Sequence, residues 1–106
     1  MDDDLVFKAL ADPARRRLLD RLHAEGGQSL GELTAGHAIS RQAVAKHLRL
    51  LETANLVVSE KRGRERLHYL NPMPIQEIAD RWIGKFRRAP AQALADLKEA
   101  LERNES

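Results

Sequence analysis

Long polar and basic side chains recur on one side of the segment that follows Ser40. On an ideal helix of about 100° per residue, Gln42, Lys46 and Arg49 fall within an arc of about 60°. Amide and guanidinium groups can form paired hydrogen bonds with base edges, whereas ammonium and guanidinium groups neutralise phosphates. The spacing therefore predicts a helix whose outer side carries groups suited to contacting a nucleic acid.

The opposite side of the same segment is apolar. Val44, Leu48 and Leu51 also fall within about 60° of one another on the helical wheel. Ser40 is a suitable N-cap, because its hydroxyl can accept a hydrogen bond from a backbone N–H of the first turn. We therefore predict an amphipathic helix from Ser40 to about Ala54, with one side in the core and one side polar.

A second group of cations surrounds Gly63. Two runs rich in β-branched and aromatic residues, 56–60 and 66–70, flank the segment 61–65. Gly63 tolerates the geometry of a tight turn, and three of the other four residues in that segment are basic. The pattern predicts a β-hairpin with a cationic tip, which can contact phosphates or enter a minor groove.

The small net charge of the chain hides this concentration of cations. The 106 residues contain 18 Lys and Arg against 16 Asp and Glu, a formal net charge of +2. Residues 40–70 contain seven basic and three acidic side chains, so the rest of the chain is slightly acidic. Residues 15–17 form a second basic cluster. Concentrated positive charge is typical of nucleic-acid-binding surfaces, but it is equally compatible with a solvated helix face and a soluble loop.

The composition argues against several other classes of protein. The absence of Cys excludes a disulfide scaffold, a Cys-based zinc site and a thiol nucleophile. An aromatic content of 4% is low for a protein that binds single strands by base stacking. We expect no enzyme, because the sequence has no glycine-rich phosphate loop and no glycine-flanked serine nucleophile. We expect a cytoplasmic protein without membrane contact, because the acidic start does not resemble a targeting peptide and no apolar run reaches the ~18–20 residues of a membrane span.

Three further helices are predicted before the amphipathic one. A short first helix begins in the acidic residues at the start of the chain, where the helix dipole favours them. Asp12 and Pro13 mark the start of the second helix, as N-cap and first helical residue, and the glycines 26–27 end it. Ser29 and Glu32 have the spacing of a capping box, which opens a short third helix.

A final helical region follows the hairpin. Apolar residues recur at helical spacing from Ile75 to Phe86, and a stripe of leucines follows Pro90. Pro90 must kink this region or split it in two. The order of elements predicts a mainly α fold with a small β-hairpin, arranged as one winged helix-turn-helix domain. We expect the helix-turn-helix at about 29–54, the hairpin, or wing, at about 56–70 and the C-terminal helices at about 74–103 of a domain that spans residues 1–106.

Several stretches of the sequence resemble the ArsR-type winged helix repressors. Residues 9–16 read Ala-Leu-Ala-Asp-Pro-x-Arg-Arg and are similar to the opening signature of that family. Residues 29–33 and 40–51 resemble its helix-turn-helix, and residues 56–57 and 63–72 resemble its wing. The resemblance is close up to the end of the wing and looser in the helical tail.

The resemblance implies a homodimeric transcriptional repressor that binds double-stranded DNA at an imperfect palindrome. The two recognition helices would enter successive major grooves, and the first and last helices of each chain would form the dimer. The positions that it places at the DNA are Ser40, Arg41, Gln42, Lys46, His47, Arg49, Arg62, Arg64, Arg66 and Arg16. The positions that it places at the dimer interface are Leu5, Val6, Ile78, Trp82, Phe86, Leu94, Leu97 and Leu101.

Within the DNA-facing set, the side chains suggest different partners. We expect Arg41 and Gln42 at base edges. We expect Ser40 and Lys46 at phosphates. Arg16 is expected at a phosphate beside the second helix, with Arg15 as the alternative.

The sequence departs from the metal-sensing members of that family. Those members carry a Cys-x-Cys pair in the third helix, or His and Asp ligands on the last helix. This chain has no Cys, and residues 74–103 contain no His. No two of its histidines have a ligand-like spacing within one helix, and the role of one of them, His37, is unexplained. We therefore expect no metal and no cofactor, and an effector, whether a small molecule or a protein, stays undefined.

A different class of function also stays open. The helix and the cationic hairpin could bind an acidic protein, which would make the chain a winged-helix interaction module. Retention on heparin and a mobility shift with the DNA upstream of its own gene would distinguish the two hypotheses.

Overall fold

The local signals in the sequence give six α-helices and one β-hairpin in a computed structural model that describes residues 3–36, 38–86 and 90–105. A short 3₁₀ helix, Ile83–Phe86, follows the fifth α-helix. The helices and strands, in chain order, are α1 (Asp3–Leu10), α2 (Pro13–Ala24), α3 (Leu30–Ala35), α4 (Arg41–Thr53), β1 (Val57–Arg62), β2 (Glu65–Leu70), α5 (Met73–Arg81) and α6 (Pro90–Glu105). The predicted mainly α fold with a small β-hairpin is confirmed.

The N-terminal ends of α2, α3 and α4 are closed by the predicted caps. The Asp12 carboxylate accepts from the backbone N–H of Ala14 at 2.7 Å. Ser29 and Glu32 form the reciprocal capping box of α3. Ser40 Oγ accepts from the backbone N–H of Ala43 at 3.1 Å, so α4 begins where the sequence predicts.

The core lies where α2, α3, α4 and the start of the hairpin meet. The apolar side of α4 supplies Val44, Leu48 and Leu51, which are buried as the helical spacing predicts. The α1 helix also contributes to this core through Val6 and Ala9. The buried apolar residues are Val6, Ala9, Leu18, Leu19, Leu22, Leu33, Val44, Leu48, Leu51, Ala54, Leu56 and Val57.

The wing is an antiparallel pair with a tight turn. Val57 pairs with Leu70 at its base, and Arg62 pairs with Glu65 at its tip. Only two residues form the turn, and the first of them, Gly63, has a φ of 61°. The strands therefore extend further into the basic segment than predicted, because a two-residue turn leaves its neighbours free to continue the ladder.

The base of the wing is attached to the loop between α2 and α3. The backbone N–H groups of Gly27 and Gln28 donate to the carbonyl of His68 in β2, and the N–H of His68 donates to the carbonyl of Gln28. This isolated antiparallel bridge pairs Gln28 with His68 on the edge of β2 opposite β1. It fixes the wing to the body that also holds α4.

The C-terminal region is divided into two α-helices. Pro90 is the first residue of α6, a position that tolerates proline because no intrahelical partner for its nitrogen is needed there. The leucines of α6 are exposed, Leu94 by 66%. The radius of gyration is 19.1 Å and the longest dimension is 68 Å, whereas a compact domain of this length has a radius of gyration of about 13 Å.

None of the helices in residues 3–36, 38–86 and 90–105 combines the length and the apolar character that crossing a bilayer requires.

Candidate nucleic-acid interface

The α3 helix is held in place for the helix-turn-helix by a side chain of α2. Arg21 donates to the backbone carbonyls of Glu32 and Leu33 near the end of α3. The same guanidinium donates to the side-chain oxygen of Gln28, which is buried. Helical carbonyls in the last turn lack partners within the helix, so these bonds satisfy them while joining α3 to α2. His37, in the turn between α3 and α4, lies outside the described residues.

The outer side of α4 presents the predicted polar residues together. Arg41, Gln42, Lys46 and Arg49 are all exposed, and the buried residues of the same helix lie on its other side. Ser40, also exposed, uses its oxygen as the cap acceptor and retains a hydroxyl proton to donate. The major groove of DNA is wide enough to admit an α-helix, so these exposed side chains of α4 can reach base edges and phosphates there.

The wing carries three arginines. Arg62, Arg64 and Arg66 are exposed. Arg66 donates to Ser59 Oγ at 3.1 Å, which orients it across the hairpin. Arg62 lies 3.6 Å from Glu60, and both side chains are more than half exposed, so this ion pair restrains Arg62 only weakly.

A cleft of about 500 Å³ separates the wing from α4. Its cationic side chains come from both walls, Arg41 and Arg49 from α4 and Arg64 and Arg66 from the wing. Two acidic side chains, Glu52 and Glu65, also line it. The cleft is therefore positive on balance, which suits an anionic backbone.

His68 forms the floor of this cleft, although the sequence pattern predicts no functional role for it. It is 5% exposed, and its Nδ1 donates to the backbone carbonyl of Gln28 at 2.9 Å. Its Nε2 lies 3.8 Å from the Glu52 carboxylate on α4. The ring therefore connects the wing, the α2–α3 loop and α4, which are distant in sequence.

Arg15 and Arg16 differ in their surroundings. Arg16 is exposed and donates to the carbonyl of Leu10 at 2.7 Å. The Arg15 side chain is only 12% exposed and bonds to carbonyls of α1. Arg16 therefore fits a phosphate contact better than its neighbour does.

His47 stands apart from the other predicted DNA-facing residues. It is half-buried, and its Nδ1 lies 3.3 Å from Arg15 Nη1. The nearby Asp12 carboxyl has a pKa below its ordinary value, chiefly because it accepts from the N–H of Ala14, with smaller contributions from Arg15 and His47. His47 is thus turned toward Arg15 of α2, whereas Gln42, Lys46 and Arg49 of α4 are exposed.

The predicted dimer positions divide into two groups. Leu5, Trp82, Phe86 and the three leucines of α6 are exposed. Val6 has no exposed surface and belongs to the core of its own chain, because it lies on the side of α1 that faces the other helices. Ile78 is half-buried against the same core. Val6 and Ile78 therefore pack within their own chain and leave little surface for a partner.

The aromatic residues after α5 form a small exposed cluster. The ring centroids of Trp82 and Phe86 are 6.0 Å apart, and Lys85 Nζ lies 5.9 Å from the centre of the Trp82 ring.

Within residues 3–36, 38–86 and 90–105, no three His, Asp or Glu side chains are close enough together to hold a metal ion.

Comparisons with known proteins agree with this geometry. Residues 10–60 match a family described as a helix-turn-helix domain. The chain is 41% identical over 86 residues to the uncharacterized HTH-type transcriptional regulator YuzN of Bacillus subtilis, over 76% of this chain and 94% of that protein. It is 32% identical over 81 residues to the transcriptional repressor SdpR of Bacillus subtilis, over 76% of this chain and 88% of that protein. An ArsR-like transcriptional regulator from Rhodococcus sp. RHA1 has a similar structure, with a TM-score of 0.76 and 33% identity over 94% of this chain and 90% of that one.

Proposed function

Because this chain belongs to the ArsR-type winged helix-turn-helix transcriptional regulators, we propose that it is a homodimeric repressor that binds a palindromic operator in double-stranded DNA. One observation carries the proposal: Arg41 and Arg49 of α4 line one cleft with Arg64 and Arg66 of the wing, and Gln42 and Lys46 are exposed on the same helix. Repression is supported by the similarity to SdpR, which is a transcriptional repressor. The site of action is the cytoplasm, where the DNA is.

The roles of the residues follow from their chemistry and exposure. Gln42 and Arg41, at the start of α4, contact base edges in the major groove, because amide and guanidinium groups can form paired bonds there. Ser40 and Lys46 contact phosphates. Arg49, Arg62, Arg64, Arg66 and Arg16 add phosphate contacts around them.

The dimer brings together the exposed apolar residues. Leu94, Leu97 and Leu101 are spaced like the seam of a two-stranded coiled coil, and each is more than half exposed in the single chain. Leu5 of α1 and the cluster of Trp82 and Phe86 are exposed apolar residues as well. Large exposed apolar surfaces mark sites of association, and a second copy of the chain would bury these residues.

Metal sensing is not part of the proposed function. The chain has no Cys, and the C-terminal helices have no His, so neither thiolate nor imidazole ligands are available at the places that metal-sensing relatives use. Control by another effector, or by the amount of protein alone, is compatible with the site.

The test is binding to the DNA upstream of the gene that encodes this chain. We expect a footprint with two half-sites about one helical turn apart and an affinity that falls steeply with salt. A duplex of the same composition in scrambled order is the control. If a protein with Arg41, Gln42 and Lys46 all changed to Ala still binds the operator normally, the assignment of α4 as the recognition helix is wrong. If no genomic duplex binds but an acidic protein does, the interaction-module hypothesis replaces it.

A further inference from the structure

Arg15 joins α1 to α2 through its side chain. It lies in the first turn of α2, where Nε donates to the carbonyl of Ala9 at 2.8 Å and Nη2 donates to the carbonyl of Lys8 at 3.0 Å. Both carbonyls belong to the last turn of α1, where backbone acceptors run out of helical N–H partners. The guanidinium therefore caps the C-terminal end of α1, and two of its three nitrogens, Nε and Nη2, donate to α1.

The third nitrogen reaches the recognition helix. Arg15 Nη1 lies 3.3 Å from Nδ1 of His47 on α4. A guanidinium can only donate, so Nδ1 must accept, which requires that it carry no proton and that the ring proton be on Nε2. A second proton on the ring turns this acceptor into a donor and places two cations in contact. This hydrogen bond between α2 and α4 therefore exists only while His47 is neutral.

Two charged groups of α2 lie beside His47. Arg15 contacts its ring, and the Asp12 carboxylate interacts with Arg15 at 3.7 Å and with the start of its own helix. On α1, Lys8 borders a small cavity together with Arg15. On α4, Lys46 precedes His47 and is exposed.

We propose that Arg15 is a positioning residue that holds α4 against α1 through unprotonated His47, and that a proton on His47 weakens DNA binding by breaking this contact. The inference rests on the proposed function, because the consequence is measured as affinity for an operator. It changes the role of His47, which the family resemblance places at the DNA and which here contacts Arg15 instead. It also ties the orientation of α4 to α1, the helix that carries exposed Leu5.

The pH dependence of operator binding tests this proposal. Dissociation constants are measured by fluorescence anisotropy from about pH 8 to about pH 5.5 at fixed ionic strength, a range in which histidine changes charge. The wild type is compared with His47→Asn, whose amide oxygen lies near the place of Nδ1, accepts from Arg15 and does not titrate. We expect the wild type to lose about tenfold in affinity on acidification, the usual worth of a hydrogen bond to a charged group, and the variant to lose far less.

The opposite sign of the effect would overturn the proposal. A His47 that contacts a phosphate gains a useful charge in acid, so the wild type would bind more tightly and its salt dependence would become steeper. Identical pH dependence in the wild type and in His47→Asn would overturn it as well. Because His23, His37 and His68 are present in both proteins, any effect of these histidines cancels in the comparison.

A second variant tests Arg15 directly. Arg15→Lys keeps the charge, but a single ammonium nitrogen cannot span the three acceptors. We expect about tenfold weaker binding at pH 8, no remaining pH dependence from His47 and an unchanged salt slope, because no phosphate contact is lost. Wild-type affinity with a wild-type pH profile in this variant would contradict the proposal.

Ring nitrogen shifts of His47 provide a test that needs no DNA. In the free protein at pH 8, we expect nuclear magnetic resonance to show Nδ1 without a proton and Nε2 with one. A proton on Nδ1 would overturn the contact with Arg15. If the wild type bound no duplex at any pH, the proposed function would fail, while the ring shifts would still decide whether Arg15 and His47 are bonded.

Discussion

Gln42 lies on the recognition helix α4 and Arg64 lies on the wing. Their side chains suit different parts of DNA, a base edge and a phosphate. An amide has one donor and one acceptor group and can distinguish adenine in the major groove. An exposed guanidinium on a wing attracts any phosphate. Sequence preference and general affinity should therefore be separable by mutating one residue at a time.

Gln42→Ala is expected to relax sequence preference. The loss should be about 1–3 kcal/mol on the operator and much less on scrambled duplex, because only the operator offers the paired base contact. Arg64→Ala should weaken both duplexes alike and reduce the salt slope by about one unit. Titrations of both variants on both duplexes, with Arg103→Ala on the side of α6 away from its leucines as a charge-matched control, measure the difference. Equal losses for Gln42→Ala on the two duplexes would contradict a base contact.

Asp12 is expected to make the stability of the domain sensitive to acid. Its pKa is held below the ordinary value of 3.8, first by the N–H of Ala14 and then by Arg15 and His47. Since the folded state favours the carboxylate, this contribution is complete above that value and is lost as the pH falls through the lower folded pKa. Thermal melts should show Asp12→Asn less stable than the wild type at pH 6 and the two proteins converging below about pH 3. A constant difference at all pH values would contradict this role.

The helices and the hairpin follow closely from signals within a few residues. The caps at Asp12, Ser29 and Ser40 and the alternating sides of α4 are local features, so the sequence predicts them without knowledge of the rest of the fold. The extent of the strands was underestimated because the number of residues in the turn depends on how the strands twist together. Whether Pro90 would kink or split the final helical region was equally open, since proline permits both.

The contacts that hold the candidate site together join residues that are far apart in the sequence. Arg15 and His47 are 32 residues apart in the chain, and His68 and Gln28 are 40 residues apart. No local pattern indicates such pairs, because they depend on how helices and wing pack. The same reason explains Val6: an apolar stripe on a short helix can face its own core or a partner, and only the packing decides.

The turn of the wing depends on glycine at its first position. Gly63 has a φ of 61°, and a Cβ there would meet nothing within 4 Å. The cost of Gly63→Ala is therefore a backbone cost, about 1 kcal/mol, and Gly63→Asn should cost less because Asn tolerates this conformation better. Chemical unfolding measures both, and Gly84→Ala, at a glycine with open space and no such φ, is the control. Equal stability of Gly63→Ala and Gly63→Asn would mean that the turn takes another shape in solution.

On the scale of the whole molecule, the radius of gyration of 19.1 Å exceeds the value of about 13 Å for a compact domain of this length. The core is formed by residues from α1 to the wing, whereas the leucines of α6 lie outside it. A helix of 16 residues is marginally stable in water on its own, so packing of its apolar side must supply most of its stability. A second copy of the chain can provide that packing and, in the same step, set the distance between two recognition helices.

Leu97→Glu is expected to separate folding from assembly. Leu97 is 57% exposed in the single chain and lies in the middle of the α6 stripe, so a carboxylate there costs little in the monomer but is buried without a partner in the dimer. Sedimentation should show the wild type as a dimer and the variant as a monomer with an intact helix-turn-helix by circular dichroism. Operator affinity should fall by far more than a single lost contact explains, because two half-sites bound by linked domains gain from effective concentration. Glu99→Lys, exposed on the other side of α6, is the control. A dimeric Leu97→Glu that binds the operator normally would place the dimer interface elsewhere.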